Sequence, residues 1–509
     1  MVKTRRLLRG ELTFSSANAK ETNVLHTLEY WDQRAKFFDH LEKNRDLIQV
    51  VATHHLGLSS AAACDIADRG DWIHGSFNVC IPIVVNDWKG HPRKRMIIRF
   101  PLPYRVGEAF RPGNSDEKLR CEAGTYTWLQ ENCPSVPIPQ LFGFGLSTAI
   151  ENLPIVARYL QYTRRLILTL LGYPVPSRYI PHQQEGVNGL CVGYLLIEYI
   201  EDAQGTMLSN SWNDRRHEAR LRTNLFRGLS RILLTIARIP LPRIGSFIID
   251  DNGYLALDNR PLSLEIQDLE NEKIPVDIDR DFTYSTVNSY VTDTLAFHDS
   301  RLRHQPNAVN NGQDCIYQMS ALTMMRAVSS QFFRRELRRG PFAFSLTDLH
   351  QSNILVDEDW HIKCIIDLEW ACSRPIEMLH PPRWLTNKAV DTISVPEYDE
   401  ARQEFMEILE KEEEDLYGKS PKSMLLSHIM RQGWEMGTFW YSLALRSPTG
   451  LFRVFYDHLQ PRLAEGHEDD SDFFRIVMYY WTKDATKFIF RKIEDKAEYD
   501  RRLQEAFDD

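Results

Sequence analysis

At 509 residues the chain is too long for one ordinary hydrophobic core and calls for two lobes or more. Its 43% hydrophobic and 11% aromatic residues can fill such cores, and 26% charged residues is ordinary for a soluble globular protein. A formal charge of −9 argues against a nucleic-acid partner, which leaves a basic footprint, and is compatible with a cationic small molecule without demonstrating one.

The cysteines (Cys64, Cys80, Cys121, Cys133, Cys191, Cys315, Cys364, Cys372) are scattered with no C-x-x-C pair, which favours reduced thiols in a reducing, cytoplasmic setting over disulfides or structural zinc. No apolar run is long enough to span a bilayer, so no membrane association is expected, and no apolar segment of a secretory signal follows the first residues. The basic start "MVKTRRLLRGELTFSSANAK" reads as a solvated tail, with a weak mitochondrial presequence as the alternative.

In chain order, residues 1–60 read as a helical extension, with Leu25, Leu28, Trp31, Phe38, Leu41 and Leu47 at helical spacing. Residues 61–202 form a β-rich part. "SFNVCIPIVVND" and "RKRMIIRFPLP" are strands joined by a turn at Gly90 and Pro92, and a helix from Ser115 to about Glu131 takes Ser115 as its N-cap. "GYLLIEYIED" closes this part as a buried strand. Residues 203–395 are mainly helical, with a hairpin "FIIDDNGYLAL" turning at Asp251-Asn252-Gly253 and helices over Thr283–Arg339. Residues 396–509 read as further helices rich in aromatics. The acidic runs Glu410–Asp415 and Glu468–Asp472 are expected on solvated surfaces; lining a cleft, either would favour an amine-bearing ligand.

One stretch carries chemistry: "FSLTDLHQSNILVDEDWHIKCIIDLEW", Phe344 to Trp370. Folded as a hairpin about Trp360, it pairs Val356 with Cys364, Leu355 with Ile365 and Ile354 with Ile366, so that Asn353 faces Asp367. An amide oxygen and a carboxylate at the open end of a hairpin can hold a hard cation such as Mg²⁺. Asp348, in the loop entering that end, sits where a general base beside a metal-bound phosphate would sit. Taken singly, each residue is an ordinary turn former. Together, D-x-x-x-x-N, a hairpin and an apolar run ending in Asp match the catalytic loop and metal-binding Asp of kinase-type phosphotransferases.

On these motifs, "LTDLHQSN" and "IIDLEW", the chain resembles the aminoglycoside phosphotransferase family, a branch of the protein-kinase-like fold that includes choline kinases, and within it fungal members of unassigned substrate. The resemblance spans about Asp65 to Trp384. It implies an α+β, bilobal fold with a small β-rich N-lobe, a large helical C-lobe and helical extensions at both ends. It further implies ATP (or GTP) and Mg²⁺ as cofactors and a small-molecule hydroxyl as acceptor, with amine-bearing acceptors to be tried. Asp348 becomes the catalytic Asp, Asn353 and Asp367 the Mg²⁺ ligands, and Glu369 a second acidic residue near metal or substrate.

Two positions depart from the family pattern. Its His-Gly before the catalytic Asp is Leu346-Thr347 here, and the nucleotide-anchoring Lys is Arg99 in "MIIRF", which can still grip phosphate oxygens but with different geometry. Glu122 shares a helical stripe with Leu119, Tyr126 and Leu129, so its carboxylate points inward and needs a cation; Arg99 is the expected partner. "IHGSFNVCIPI" is similar to the family's phosphate turn, offering the N–H groups of Gly75, Ser76 and Phe77, while Glu198 and Ile200 would meet the adenine through their backbone. His350 is expected to serve local packing. The competing reading is a catalytically weak or inactive kinase-like scaffold that binds a ligand or protein; a protein kinase is disfavoured because no D-F-G or A-P-E follows.

Overall fold

The computed structural model describes residues 3–58, 60, 63–147, 155–173, 175–177, 190–417, 425–466 and 470–508. The small lobe is built on a sheet in the order Cys64–Ile66, Asn78–Trp88, His91–Pro101, Tyr194–Glu198, Leu141–Gly145, with Ile73–His74 pairing off its second strand. The two long strands are joined through Lys89 (φ 50°) and Gly90 (φ 84°), a two-residue turn whose positive φ values match the twist of the strands it joins.

Strand alternation assigns each face of this sheet a different neighbour. Tyr194 and Leu196, with Val79, Ile81, Ile83, Met96 and Ile98, pack under the N-terminal helices Tyr30–Lys43 and Arg45–Leu56. Leu195 and Ile197 point the other way, into the core shared with the helix Asn114–Asn132 and the large lobe.

That helix begins differently from expectation. Gly113 (φ 92°) is its N-cap residue, and the Glu108 carboxylate accepts from the N–H groups of Gly113 (2.6 Å) and Ser115 (2.7 Å). A carboxylate answering two end amides suits the positive end of the helix dipole better than a serine hydroxyl. Gly124 lets the helix approach the strand Ser246–Ile249: a Cβ there would lie 2.3 Å from the Phe247 carbonyl oxygen. Arg260, fully buried, clasps Glu117 of the helix (2.7 and 2.8 Å) and Glu270 (2.7 and 3.0 Å).

In the large lobe, the expected hairpin forms from Ser246–Ile249 and Leu255–Asn259, its turn held by Asp250, which accepts from the N–H groups of Asn252 and Tyr254. Helices Val287–His304 and Gly312–Phe332 occupy the expected helical region. The acidic run Glu410–Asp415 is not wholly solvated. Glu412 is buried under Arg227 and Arg231, and buried Glu413 caps the helix Leu426–Met436 through the N–H groups of Leu426 and Ser427. Of the second acidic run, Glu468 and Asp469 lie outside the described residues, and Asp470 caps the helix Ser471–Trp481. Among the described residues no helix is long and apolar enough to cross a membrane.

Replacing Arg260 by Leu leaves Glu117 and Glu270 buried without their main partner, so a loss of about 3–5 kcal/mol of stability is expected in urea unfolding. An unchanged midpoint would mean that Arg111 and Arg280 suffice to hold the two carboxylates.

Candidate active site

Ile98 and Phe100 face the N-terminal helices, so Arg99 between them faces the opposite side, toward the helix Asn114–Asn132. It is 4% exposed and far from a surface arginine. Its guanidinium lies 3.1 Å from Glu122 Oε1, 2.8 Å from Asp367 Oδ1 and 3.0 Å from Glu369 Oε2. Burial alone would lower the pKa of Arg99; Glu122, Asp367 and Glu369 outweigh it and hold the group well above its ordinary value.

A second cation in this cluster escaped the sequence reading. Lys118, fully buried, places Nζ 2.7 Å from Glu369 Oε2 and 3.5 Å from Glu122 Oε2, and donates to Asn78 Oδ1 at 2.8 Å. The Asn78 amide in turn donates to Glu369 Oε2 at 2.5 Å. The signals existed: Lys118 stands four residues before Glu122 on the inward stripe, and Asn78 ends the "GSFN" turn. Burial pushes Glu122 above the usual carboxylate range against the pull of Arg99 and Lys118. Burial acts likewise on Glu369, but Lys118, Arg99 and Asn78 overcome it and hold that carboxyl below its ordinary value.

The hairpin forms with Ile354–Val356 and Ile362–Ile365, one residue out of the expected register. Ile354 pairs with Ile365 and Leu355 with Cys364, and a bulge follows at Val356. The cause lies in the turn. Asp357 accepts from the N–H groups of Asp359 and His361, and Trp360 takes φ 60° so that its ring stacks on Trp212 at 5.3 Å. Asn353 therefore stands opposite Ile366, whose N–H it accepts at 3.0 Å, and Asp367 lies one residue beyond at φ 57°. That left-handed backbone is a local strain of the kind found at working sites.

The Asn353 amide donates to the Asp348 carbonyl (2.9 Å) and to Asp348 Oδ2 (3.3 Å), leaving Oδ1 without a donor among the described residues. Burial, then the carboxylates of Glu369 and Asp367, push the Asp348 carboxyl up to about 7. His350 Nδ1 accepts from the Ser352 N–H, and its Nε2 lies 3.6 Å from Asp348 Oδ1. The loop is anchored without the family's histidine. Leu346 packs against the core, Thr347 Oγ1 donates to the Trp370 carbonyl (2.5 Å), Arg446 donates to the Thr347 carbonyl (2.6 Å) and Trp384 to the Leu349 carbonyl (2.8 Å).

Asp348 opens into a cavity of about 220 Å³ bounded by Glu265, Asp268, Arg383, Leu443 and Arg446. On the small-lobe side, the Gly75 N–H is spent on the Asn78 carbonyl (3.0 Å), whereas the Ser76 and Phe77 N–H groups have no acceptor among the described residues. Phe77 stacks edgewise on Trp370 at 5.1 Å. The Glu198 N–H is spent on the Gln140 carbonyl (2.9 Å) and its side chain pairs with Lys94; Ile200 follows half-buried. Among the described residues no three His, Cys, Asp or Glu side chains form a metal-ligand group.

No curated protein matches the sequence. Among solved structures, the chain is similar to the aminoglycoside phosphotransferase APH(4)-Ia in ternary complex with AMP-PNP and hygromycin B. That likeness has 12% identity and a TM-score of 0.35 over 76% of this chain and 94% of that one. It is also similar to an ethanolamine kinase of Plasmodium vivax, with 13% identity and a TM-score of 0.36 over 96% and 98% of the two chains. The model of the phosphotransferase enzyme family, APH, matches residues 85–378, more than half of the chain and with both the arginine–glutamate cluster and the Asp348–Asp367 hairpin inside it. The chain belongs to the APH phosphotransferase enzyme family.

Proposed function

We propose that the protein transfers the γ-phosphoryl group of ATP or GTP to a hydroxyl of a small molecule, with Mg²⁺. The observation that carries this is the convergence of Asp348, Asn353 and Asp367 at one hairpin end, between the buried charge cluster of Arg99 and Lys118 with their carboxylates and a cavity of about 220 Å³. In the transfer, the bond from the γ-phosphorus to the diphosphate leaving oxygen breaks and a bond to the acceptor oxygen forms. The hydroxyl proton passes to Asp348, whose raised pKa suits a base working near neutrality.

Asn353 and Asp367 would hold Mg²⁺. An amide oxygen and a carboxylate are hard donors that suit this ion, which takes its remaining ligands from phosphates and water. When bound, the ion neutralises charge building on the phosphate oxygens. Arg99 faces Asp367, so its guanidinium is proposed to meet the same oxygens, oriented by Glu122. Glu369 is proposed to act beside the metal by fixing Arg99 and Lys118. Ser76 and Phe77, with Gly75 shaping their turn, are proposed for the phosphates, and Glu198 and Ile200 for the base. Catalysis then rests on positioning and charge stabilisation. The scattered cysteines fit a cytoplasmic enzyme.

The inactive-scaffold reading is favoured by one observation, the Arg99–Asp367 pair at 2.8 Å, which already occupies the metal aspartate. Calorimetric titration of ATP with and without Mg²⁺ separates the two. Mg²⁺-dependent binding that disappears in Asp367→Ala supports the enzyme, and no binding of ATP or GTP supports the scaffold. In Asp348→Asn, kcat is expected to fall by about 10²–10⁴-fold with nucleotide affinity nearly unchanged; a fall under about tenfold removes Asp348 as base. Arg99→Glu combined with Glu122→Arg should regain part of the nucleotide affinity lost in each single variant, whereas additive losses would show that the pair is not coupled.

A further inference from the structure

The cavity beside Asp348 carries two arginines, Arg383 and Arg446, that no carboxylate among the described residues pairs directly. Two buried arginines of the molecule are closely matched to carboxylates: Arg99 meets three and Arg260 two. Arg446 and Arg383, which bound the cavity, have no carboxylate within 4.0 Å among the described residues. Arg374 stands behind them. It is 4% exposed, bonds only the Tyr290 hydroxyl (3.0 and 3.3 Å), and leaves Nη1 buried with no partner. Arg374 and Arg446 share a small void of about 10 Å³ beside the main cavity.

Arg374 is the guanidinium removed from water without a counter-charge, and an anion bound at the neighbouring Arg446 would offset that cost. Burial and the nearby Arg374 together drag Arg446 down to about 10, the direction expected of a cation lacking an anion. Of the lining carboxylates, Asp348 is assigned to the hydroxyl and Asp268 lies 4.0 Å from Arg105. Glu265 offsets Arg374 and Arg446 only from beyond ion-pair distance. The planar fork of arginine matches carboxylate and phosphate oxygens two at a time.

We propose that the acceptor is a hydroxylated small molecule bearing an anionic group, a carboxylate or a phosphate, bound by Arg446 and Arg383 while its hydroxyl lies at Asp348. This rests on the phosphotransferase reading and narrows its substrate class, away from the amine-bearing acceptors that the overall charge suggests. Arg374 is a positioning residue, supporting Arg446 from behind.

The test uses the full chain with Mg²⁺ and AMP-PNP, titrated with matched probes: glycerol, glycerate, glycerol 3-phosphate and ethanolamine. At least one anionic probe is expected to bind about tenfold or more tighter than glycerol and ethanolamine, and which one separates carboxylate from phosphate. In Arg383→Gln, an exposed position with little structural burden, that preference should fall below about threefold. With ATP, KM for the anionic acceptor should rise more than kcat falls. Arg446→Lys, keeping the charge, should retain more of the preference than Arg446→Gln. Equal or tighter binding of glycerol or ethanolamine, no binding of any probe beside intact nucleotide binding, or a preference untouched by both substitutions overturns the inference alone. Failure of the nucleotide to bind overturns instead the kinase reading beneath it.

Discussion

Three separate stretches of chain meet in one buried knot of charge. Arg99 comes from the small-lobe sheet, Lys118 and Glu122 from the long helix, and Asp367 and Glu369 from the segment after the large-lobe hairpin. Arg99, Lys118, Glu122 and Glu369 cannot be buried alone, because each charge out of water needs its counter-charge close by, and the partly exposed Asp367 joins them through Arg99. The sheet, helix and hairpin are therefore held to one mutual placement. Asp348 and Asn353 inherit their position from it, since they precede the same hairpin and bond each other. Burial first, and then the nearby carboxylates Glu369 and Asp367 of the knot, make Asp348 reluctant to ionise.

Much of this was legible in the chain because the decisive spacings are short. The step from Asp348 to Asn353, the two apolar runs and the closing Asp367 fix a loop and hairpin locally, and the inward stripe around Glu122 announces a buried cation partner. What could not be read depended on contacts distant in sequence or on competition within a turn. The hairpin register moved because the Asp357 side chain closes the turn and Trp360 seeks Trp212. The helix cap came from Glu108 instead of Ser115. Glu412 and Glu413 looked like solvated charge, yet arginines of another helix and an uncapped helix start lay across from them. Lys118 is hidden in the sequence because a lysine beside acidic residues at a helix start reads as surface.

The loss of the family's histidine at Leu346 illustrates how a loop can keep its shape with different fastenings. Thr347 reaches Trp370, Trp384 reaches the backbone at Leu349, and Arg446 reaches the backbone at Thr347. Arg446 thereby belongs to two structures at once, the loop at Asp348 and the cavity beside it, so whatever occupies the cavity is felt by the loop through one side chain.

The N-terminal helices have a mechanical role. Their apolar face covers the small-lobe sheet, and His40 donates to the Leu190 carbonyl. The segment leading into them is tied to the other lobe: Gln305 and Asn307 bond the carbonyls of Lys20, Glu21 and Thr22, the Val24 N–H bonds the Tyr499 hydroxyl, and Asn271 bonds the Tyr30 hydroxyl. The two lobes are thus fastened together by a strap of hydrogen bonds. Widening the cleft between the lobes has to stretch or unlatch these bonds, so the extension resists their separation.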